Sequence, residues 1–353
     1  MRNDQSVLEV LDAIGQRRDA RRAFLRAAGS ATVAAGGLTL LSGCFDGDDD
    51  DDVGGGGPVA TPSPTPSTAI GDGDILNFAL QLEYLEAQYY SYAVFGAGLP
   101  NSQLSGVGTQ GAVLTTGSAP PRAVNFSGET LIGQYAREIA QDEIAHVAFL
   151  RTALGAAAVA QPQINISGDA TGAFTAAARA AGVVPATGTF DPYSSPDFFL
   201  LGAFLFEDVG VTAYKGAAPL LSSKVFLEAA AGILAAEAYH AGLVRTILFA
   251  RGQSNAQLIT AAGQISDARD TLDGAPADDP IRGIGADDDQ GIAATGTGAS
   301  SVANLVPANS NGLAYSRDAA RTLNIVFLSR AAVTTGGFFP QGLNGRITTS
   351  AAN

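Results

Sequence analysis

Two copies of one short motif contain both histidines of this 353-residue chain. The motif is Glu-x-x-His-x-x-x-x-Arg-Thr-x-Leu, and it occurs at Glu143–Leu154 and again at Glu237–Leu248. Because a helix brings residues three apart onto the same face, each copy presents a carboxylate beside an imidazole. Carboxylate oxygen and imidazole nitrogen together suit iron or manganese better than the metals that prefer thiolates. At this composition, two such pairs would arise by chance in about one sequence in 1,600.

Two further glutamates interrupt apolar helical seams that match each other. Glu83 and Glu207 each lie in the middle of such a seam, and Tyr90 and Tyr214 follow them by seven residues. The order Glu, Glu-x-x-His, Glu, Glu-x-x-His indicates a duplicated pair of helices. A carboxylate on an apolar seam is costly unless it is paired or bound to a metal ion. Two divalent cations would cancel the charge of four such carboxylates, so the pattern predicts a centre of two metal ions.

Four long helices are expected to position these residues. The apolar periodicity predicts helices at about 74–94, 129–154, 196–218 and 223–250, with Ser127 and Ser195 as N-caps. Their lengths are typical of an all-α four-helix bundle. A tight turn at 219–222 makes the third and fourth helices antiparallel neighbours. The connections at about 96–127 and 156–194 are long crossovers, and the second carries a short helix near 172–181.

The chain after residue 252 predicts an extension of the bundle. Helices are expected at 254–272 and at 316–328, the latter with Ser316 as its N-cap. The aromatic turn at 336–340 is expected to dock on the bundle. No Glu or His follows His240, so this extension supplies no further ligands of the same type. The predicted organisation is a bundle at 70–252 and a C-terminal extension at 253–353.

The N-terminal residues are typical of an export signal followed by a tether. A twin-arginine pair at Arg21-Arg22 precedes an apolar stretch that is too short to span a bilayer as a helix. The following Leu41-Ser42-Gly43-Cys44 resembles a bacterial lipobox, in which the cysteine is lipidated. We therefore expect a signal peptide at 1–43 and a disordered Asp/Gly/Pro-rich tether at 44–69. This predicts an exported lipoprotein anchored to a membrane through Cys44, on the periplasmic or outer face of a bacterium.

Composition excludes several other classes of protein. The formal charge of −14 disfavours nucleic-acid binding, because an acidic surface repels phosphate backbones. The single cysteine excludes an intramolecular disulfide and any zinc site built from several thiolates.

Three segments resemble a known family. Asn77–Tyr90, Val209–Ala217 and Gly336–Gly345, together with the Glu-x-x-His repeats, are similar to the ferritin-like di-metal carboxylate proteins, in the branch that includes plant desiccation-related proteins. The resemblance covers about residues 70–345 and implies a ferritin-like four-helix bundle. Carried over to this chain, it implies two Fe or Mn ions. The implied ligands are Glu83, Glu143, His146, Glu207, Glu237 and His240.

Several neighbouring residues admit two interpretations. Glu86 lies one turn after Glu83 and is either a further ligand or a surface residue, since the corresponding position of the third helix is Gly210. Tyr90 and Tyr214 either hydrogen-bond a ligand carboxylate, donate an electron to the metals or only pack in the core, and packing alone is favoured. Four other charged residues are expected on helix surfaces: Glu138, Asp142, Arg151 and Arg245. The two arginines are each expected to form a salt bridge there.

Two functional hypotheses from different classes follow. One is a redox enzyme that oxidises Fe(II) or decomposes peroxide, with oxygen or peroxide as its small-molecule partner. The other is a non-catalytic metal-binding or structural protein related to desiccation stress. A homo-oligomer is compatible with either hypothesis.

Overall fold

Seven α-helices and no β-strand are assigned within residues 69–353, the part of the chain that the computed structural model describes. The predicted signal peptide, its Cys44 and nearly all of the tether lie outside the described residues. The all-α prediction is confirmed. The helices are α1 Asp72–Phe95, α2 Thr130–Leu154, α3 Ala173–Ala180, α4 Pro196–Ala217, α5 Lys224–Gly252, α6 Ala256–Asp273 and α7 Ala319–Phe327.

Two antiparallel helix pairs form the bundle. The helices α1 and α2 pack along each other, and so do α4 and α5, while contacts of α1 with α4 and of α2 with α5 join the pairs. The apolar seams fill the space between them, where Leu80, Ala87 and Phe204 are fully buried. The four predicted long helices therefore exist, within one or two residues of the expected ends.

Helix ends follow ordinary capping chemistry at some predicted positions and not at others. The Ser195 side chain accepts a hydrogen bond from the Phe198 N–H at 3.2 Å, with Pro196 in the first turn. The predicted caps Ser127 and Ser316 are wrong by two residues each, because Glu129 and Asp318 occupy the cap positions. Ser316 Oγ instead donates to a backbone carbonyl at 2.8 Å.

The two long crossovers run beside each other over α1. Short parallel pairings join Val107 to Val159 and Val113 to Ile164. The side chains of α1 hold this layer in place, since Asn77 Nδ2 donates to a crossover carbonyl at 3.0 Å. The crossovers therefore cover one side of the bundle with backbone that is hydrogen-bonded.

The C-terminal residues pack on the pair formed by α4 and α5. Helix α6 contacts α4 and α5, and α7 contacts α4 and α6. Phe338, in the predicted aromatic turn, is fully buried, with its ring centroid 5.0 Å from that of Phe206 on α4. The extension thus completes the core around α4.

Arg245 on α5 corrects the prediction of a helix-surface salt bridge. Its side chain is fully buried and donates to Asp208 Oδ2 at 2.7 Å. It also donates to four backbone carbonyl groups between residues 290 and 305. Arg245 therefore ties the C-terminal extension to the bundle.

Helix α5 is the one described helix that is long and apolar enough to cross a membrane, with a mean hydropathy of 1.3. Its inward face also carries Glu237 and His240, both buried among the other bundle helices. Only 39 % of its apolar window is buried, so its place in the core accounts for part of its apolar composition.

Candidate metal centre

The four bundle helices bring the six predicted ligands together in the core. Each helix contributes its glutamate at mid-length, and α2 and α5 add a histidine one turn later. The periodicity of the seams is the reason, since a residue in the middle of an apolar stripe faces the bundle axis when the helix packs. All six side chains converge in two overlapping groups.

The first group surrounds His146. Its Nδ1 lies 3.2 Å from Glu83 Oε2, 3.5 Å from Glu143 Oε2 and 3.4 Å from Glu237 Oε1. One ligand atom from each of these four residues lies within 4.8 Å of the others. Three helices, α1, α2 and α5, therefore build this group.

The second group surrounds His240 and shares a residue with the first. Its Nδ1 lies 3.0 Å from Glu143 Oε1 and 3.6 Å from Glu207 Oε2. Glu143 thus directs one carboxylate oxygen to each histidine, and the two imidazole centroids are 6.3 Å apart. Glu143 is therefore the residue that the two groups share, and it lies between the two imidazoles.

Unsatisfied buried atoms test whether metal ions fit this donor set. Within the described residues, both oxygens of Glu143 and Glu237, Oε2 of Glu207 and Nδ1 of His240 are buried and lack a well-aligned hydrogen bond, although the histidine nitrogens lie 3.0–3.6 Å from all of these oxygens except Glu237 Oε2. Buried polar atoms are nearly always satisfied, and buried carboxylates are paired or coordinate metals. Oxygen-rich positions with one imidazole each suit Fe or Mn ions. The residues present fit two such ions.

Electrostatics show what replaces the cations in the metal-free protein. Burial raises the pKa of Glu83 to about 8, and it raises the pKa values of Glu207 and Glu237 as well. For His240, burial alone would lower the pKa, but the carboxylate of Glu207 and its neighbours raise it to about 12. Burial would likewise raise the pKa of Glu143, but the imidazoles lower it. Protons held by this cluster neutralise it when metal ions do not.

The two tyrosines bond across the bundle to the glutamates of the opposite helix pair. Tyr90 on α1 donates to Glu207 Oε1 on α4, and Tyr214 on α4 donates to Glu83 Oε1 on α1. The prediction that packing is their only role is therefore wrong. Each bond occupies one carboxylate oxygen and leaves the other facing a histidine. The tyrosines thus orient the two glutamates that lack a histidine on their own helix.

Glu86 is buried, so its surface interpretation is wrong. It is 6 % exposed, and burial raises its pKa well above the ordinary value. A Cβ atom at Gly210 would lie 2.5 Å from Glu237 Oε2 and 3.5 Å from Glu86 Oε1. The glycine therefore makes room for both carboxyl groups. A cavity of about 20 Å³, room for about one water molecule, borders Glu86 and Gly210.

Asp142 is a site residue that sequence reasoning assigned to the helix surface. Its Oδ2 lies 3.4 Å from His240 Nε2, and its side chain is 27 % exposed. A carboxylate on the outer nitrogen of a ligand imidazole orients the ring. The duplication hid this residue, because Ala236 occupies the equivalent position before Glu237. Glu138, in contrast, is exposed as predicted.

Arg151 is the counterpart of Arg245 in the first motif, and it also does not form the expected surface salt bridge. Its guanidinium donates to the Tyr84 hydroxyl at 2.6 Å and to the Ser105 carbonyl at 2.7 Å. It therefore fastens the first crossover to the bundle.

Comparison with known proteins agrees with the fold. Residues 71–250 match the family model of the ferritin-like domain, and the chain belongs to this family. The chain is 26 % identical over 281 residues to the desiccation-related protein PCC13-62 of Craterostigma plantagineum, covering 78 % of this chain and 83 % of that protein. It is also 26 % identical over 285 residues to the ferritin-like catalase Nec2 of Nesocodon mauritianus, covering 78 % and 84 % respectively. No solved structure matches significantly.

Proposed function

We propose that this protein binds two Fe or Mn ions and decomposes hydrogen peroxide at the paired site. The observation that carries the proposal is Glu143, whose two oxygens face two separate imidazoles. A metal ion with a purely structural role would need only one binding site between the helices. Two adjacent sites that share a carboxylate suit a two-electron reaction. The similarity to a protein named a ferritin-like catalase supports the same choice.

When bound, two redox-active ions would supply the exchange of two electrons with peroxide. The overall reaction converts two molecules of hydrogen peroxide into two of water and one of oxygen, and it needs no external reductant. Glu83, His146 and Glu237 would hold one ion, Glu207 and His240 the other, and Glu143 both. Tyr90 and Tyr214 keep the carboxylates of Glu207 and Glu83 in position through their hydrogen bonds.

The surrounding residues control protons and access. Glu86 is buried beside Glu237 with a raised pKa, so it holds a proton within reach of the site. The His146 side chain is 12 % exposed, whereas the glutamates of the centre are at most 1 % exposed. Small molecules would therefore enter on the His146 side, between α2 and α5.

Two other functions remain alternatives. Oxidation of Fe(II) would use the same donor set, and it differs in consuming metal ions as substrate. A structural role in stress protection is supported by the similarity to a desiccation-related protein and by the tyrosine bonds that join the two helix pairs.

Metal analysis provides the first test. Protein purified without added metal should carry about two Fe or Mn ions per chain, and a His146→Ala/His240→Ala variant should carry almost none. A wild-type protein that has no metal and cannot be loaded would contradict the proposal.

The Glu207→Gln variant distinguishes turnover of peroxide from a structural role of the centre. This change preserves side-chain volume but removes one negative charge, so one metal position should weaken by about tenfold or more. Oxygen release from peroxide should then fall far more than helicity or melting temperature. Glu228→Gln, the same change at an exposed position of α5, is the matched control and should behave as wild type.

The outcomes distinguish the three functions. Wild-type protein that oxidises Fe(II) but releases no oxygen from peroxide supports the ferroxidase alternative. If neither activity is present and Glu207→Gln mainly lowers the melting temperature, the centre is structural.

We also propose that the protein is exported and held at a membrane by a lipid on Cys44. The support is the sequence pattern of the first 69 residues: a twin-arginine pair, a short apolar core, a lipobox-like end and a polar tether.

A further inference from the structure

A second group of carboxylates lies in the C-terminal extension, outside the centre described above. Asp270 and Asp273 are three residues apart near the end of α6, and this spacing places them on one helical face. Asp288 comes from the connection between α6 and α7. One carboxylate oxygen from each of the three lies within 4.8 Å of the others.

Asp273 and Asp288 belong to a buried ion-pair network with an excess of negative charge, and half-buried Asp270 borders it by accepting from the Asp289 N–H. With Asp208 and Asp289 the network and its border contain five carboxylates. They face three guanidinium groups, those of Arg245, Arg269 and Arg317. The bonds of the network are Arg245–Asp208, Arg269–Asp208, Arg269–Asp289 and Arg317 with Asp273, Asp288 and Asp289. If all these groups are ionised, two negative charges are left without a partner in the protein interior. One divalent cation would cancel them.

Unpartnered oxygens mark where such a cation would bind. Asp273 and Asp288 are 0 % and 3 % exposed, and each uses one oxygen to accept from Arg317. Their other oxygens, Asp273 Oδ1 and Asp288 Oδ2, are buried with no hydrogen-bond partner among the described residues. Leaving a buried carboxylate oxygen unsatisfied is costly. Burial and the neighbouring carboxylates accordingly raise the pKa of Asp270 to about 8.

We propose that Asp270, Asp273 and Asp288 bind one Ca²⁺ ion. The donor atoms are all oxygens, with neither imidazole nor thiolate, which is the preference of a hard cation. Ca²⁺ accepts variable geometry, so carboxylates supplied by a helix end and a loop can serve as its ligands. The bound ion joins α6 to the connection that precedes α7 and acts as a structural clamp of the extension.

Calcium titration of the full-length protein tests the site. Protein freed of metal with a chelator is titrated with Ca²⁺ by calorimetry, and its melting temperature is measured with and without about 1 mM Ca²⁺, a concentration that fills weak all-oxygen sites. We expect one Ca²⁺ per chain and a higher melting temperature. The His146→Ala/His240→Ala variant should bind Ca²⁺ as wild type does, which separates this site from the bundle centre.

Asp270→Asn is the decisive variant, with Asp267→Asn as its matched control on the exposed face of α6. An asparagine at 270 keeps an oxygen for the Asp289 N–H, which donates to Asp270 Oδ1 at 3.1 Å, so the fold should be retained. Ca²⁺ affinity should fall at least tenfold in Asp270→Asn and stay unchanged in Asp267→Asn. With Ca²⁺ present, wild type should have the higher melting temperature. In chelator, Asp270→Asn should have the higher melting temperature, because it lacks the carboxylate repulsion that wild type retains.

Two results would overturn the proposal. One is wild-type protein that neither binds Ca²⁺ in the calorimeter nor gains melting temperature. The other is Asp270→Asn that binds Ca²⁺ as tightly as wild type. Asp288→Asn provides an independent second variant, and an unchanged affinity in that protein would equally contradict the site.

Discussion

At the scale of single residues, Glu143 has a role that its partner motif does not share. Both oxygens of Glu143 face imidazoles, whereas Glu237, its counterpart in the repeat, contributes to the His146 group alone. The repeat is therefore symmetric in residue types and asymmetric in geometry. Glu86, Gly210 and Asp142 add to the asymmetry, since none of them is matched in the other half of the repeat.

Protons and metal ions compete for the same atoms, and this predicts a pH dependence. The pKa of Glu83 is raised from 4.5 to about 8 and that of His240 from 6.5 to about 12, so the folded metal-free protein holds protons that the unfolded chain releases. Their contribution to stability is complete below the unfolded values and is lost as pH rises. The pKa of Glu143 is lowered, so its contribution to stability changes only below pH 4.5, where it is lost as pH falls. The melting temperature of the metal-free protein should therefore fall between pH 6.5 and 8.

Calorimetry with and without chelator checks this dependence. Metal ions bind deprotonated ligands, so the gain in melting temperature on loading should be larger at pH 8 than at pH 6.5. A metal-free protein whose stability is constant or rises over this interval would show that the cluster does not hold the protons assigned to it.

At the scale of elements, the two arginines of the repeated motif fasten the long connections to the bundle. Arg151 on α2 binds the first crossover, and Arg245 on α5 binds the backbone of the C-terminal extension. Each lies five residues after a histidine, so the helix that supplies an imidazole also anchors a covering loop. The repeat thus encodes support for the site as well as its ligands.

Replacing Arg245 by Met should destabilise the protein strongly. The change leaves Asp208 buried with Arg269 as its remaining cation and removes donors from four carbonyl groups. Breaking a buried ion pair costs about 3–5 kcal/mol. Arg251→Met is the matched change on the same helix, where the bridges to Glu129 and Asp197 are partly exposed, and should cost about 1 kcal/mol. Urea unfolding measures both changes. If Arg245→Met and Arg251→Met lose the same free energy of unfolding, the anchoring role of Arg245 is contradicted.

At the scale of the whole molecule, attachment to a membrane depends on which hydrophobic group reaches the bilayer. Helix α5 has the length for a membrane span, but it is a bundle helix with buried Glu237 and Arg245. A lipid on Cys44, beyond the described residues, is the anchor that the sequence pattern predicts.

Under the proposed lipid anchor, Cys44→Ser should release the protein into the soluble fraction. The physical reason is that the acyl chains supply the apolar area that holds a lipoprotein at a bilayer. Fractionation by centrifugation, with wild type as the control, measures the effect. Persistent binding of Cys44→Ser after a high-salt wash would instead point to an apolar surface such as that of α5.

Local sequence determined which segments are helices and which residues face the bundle axis. Glutamates and histidines at helical spacing on apolar seams define an inward polar set, because periodicity and burial are linked within a single helix. Tertiary packing alone decided how these residues meet. The Tyr90–Glu207 and Tyr214–Glu83 bonds join residues 117 and 131 positions apart, and no local pattern encodes such contacts. The same holds for the bridging position of Glu143, the Asp142–His240 contact and the burial of Arg245, since each depends on which neighbouring element closes over it.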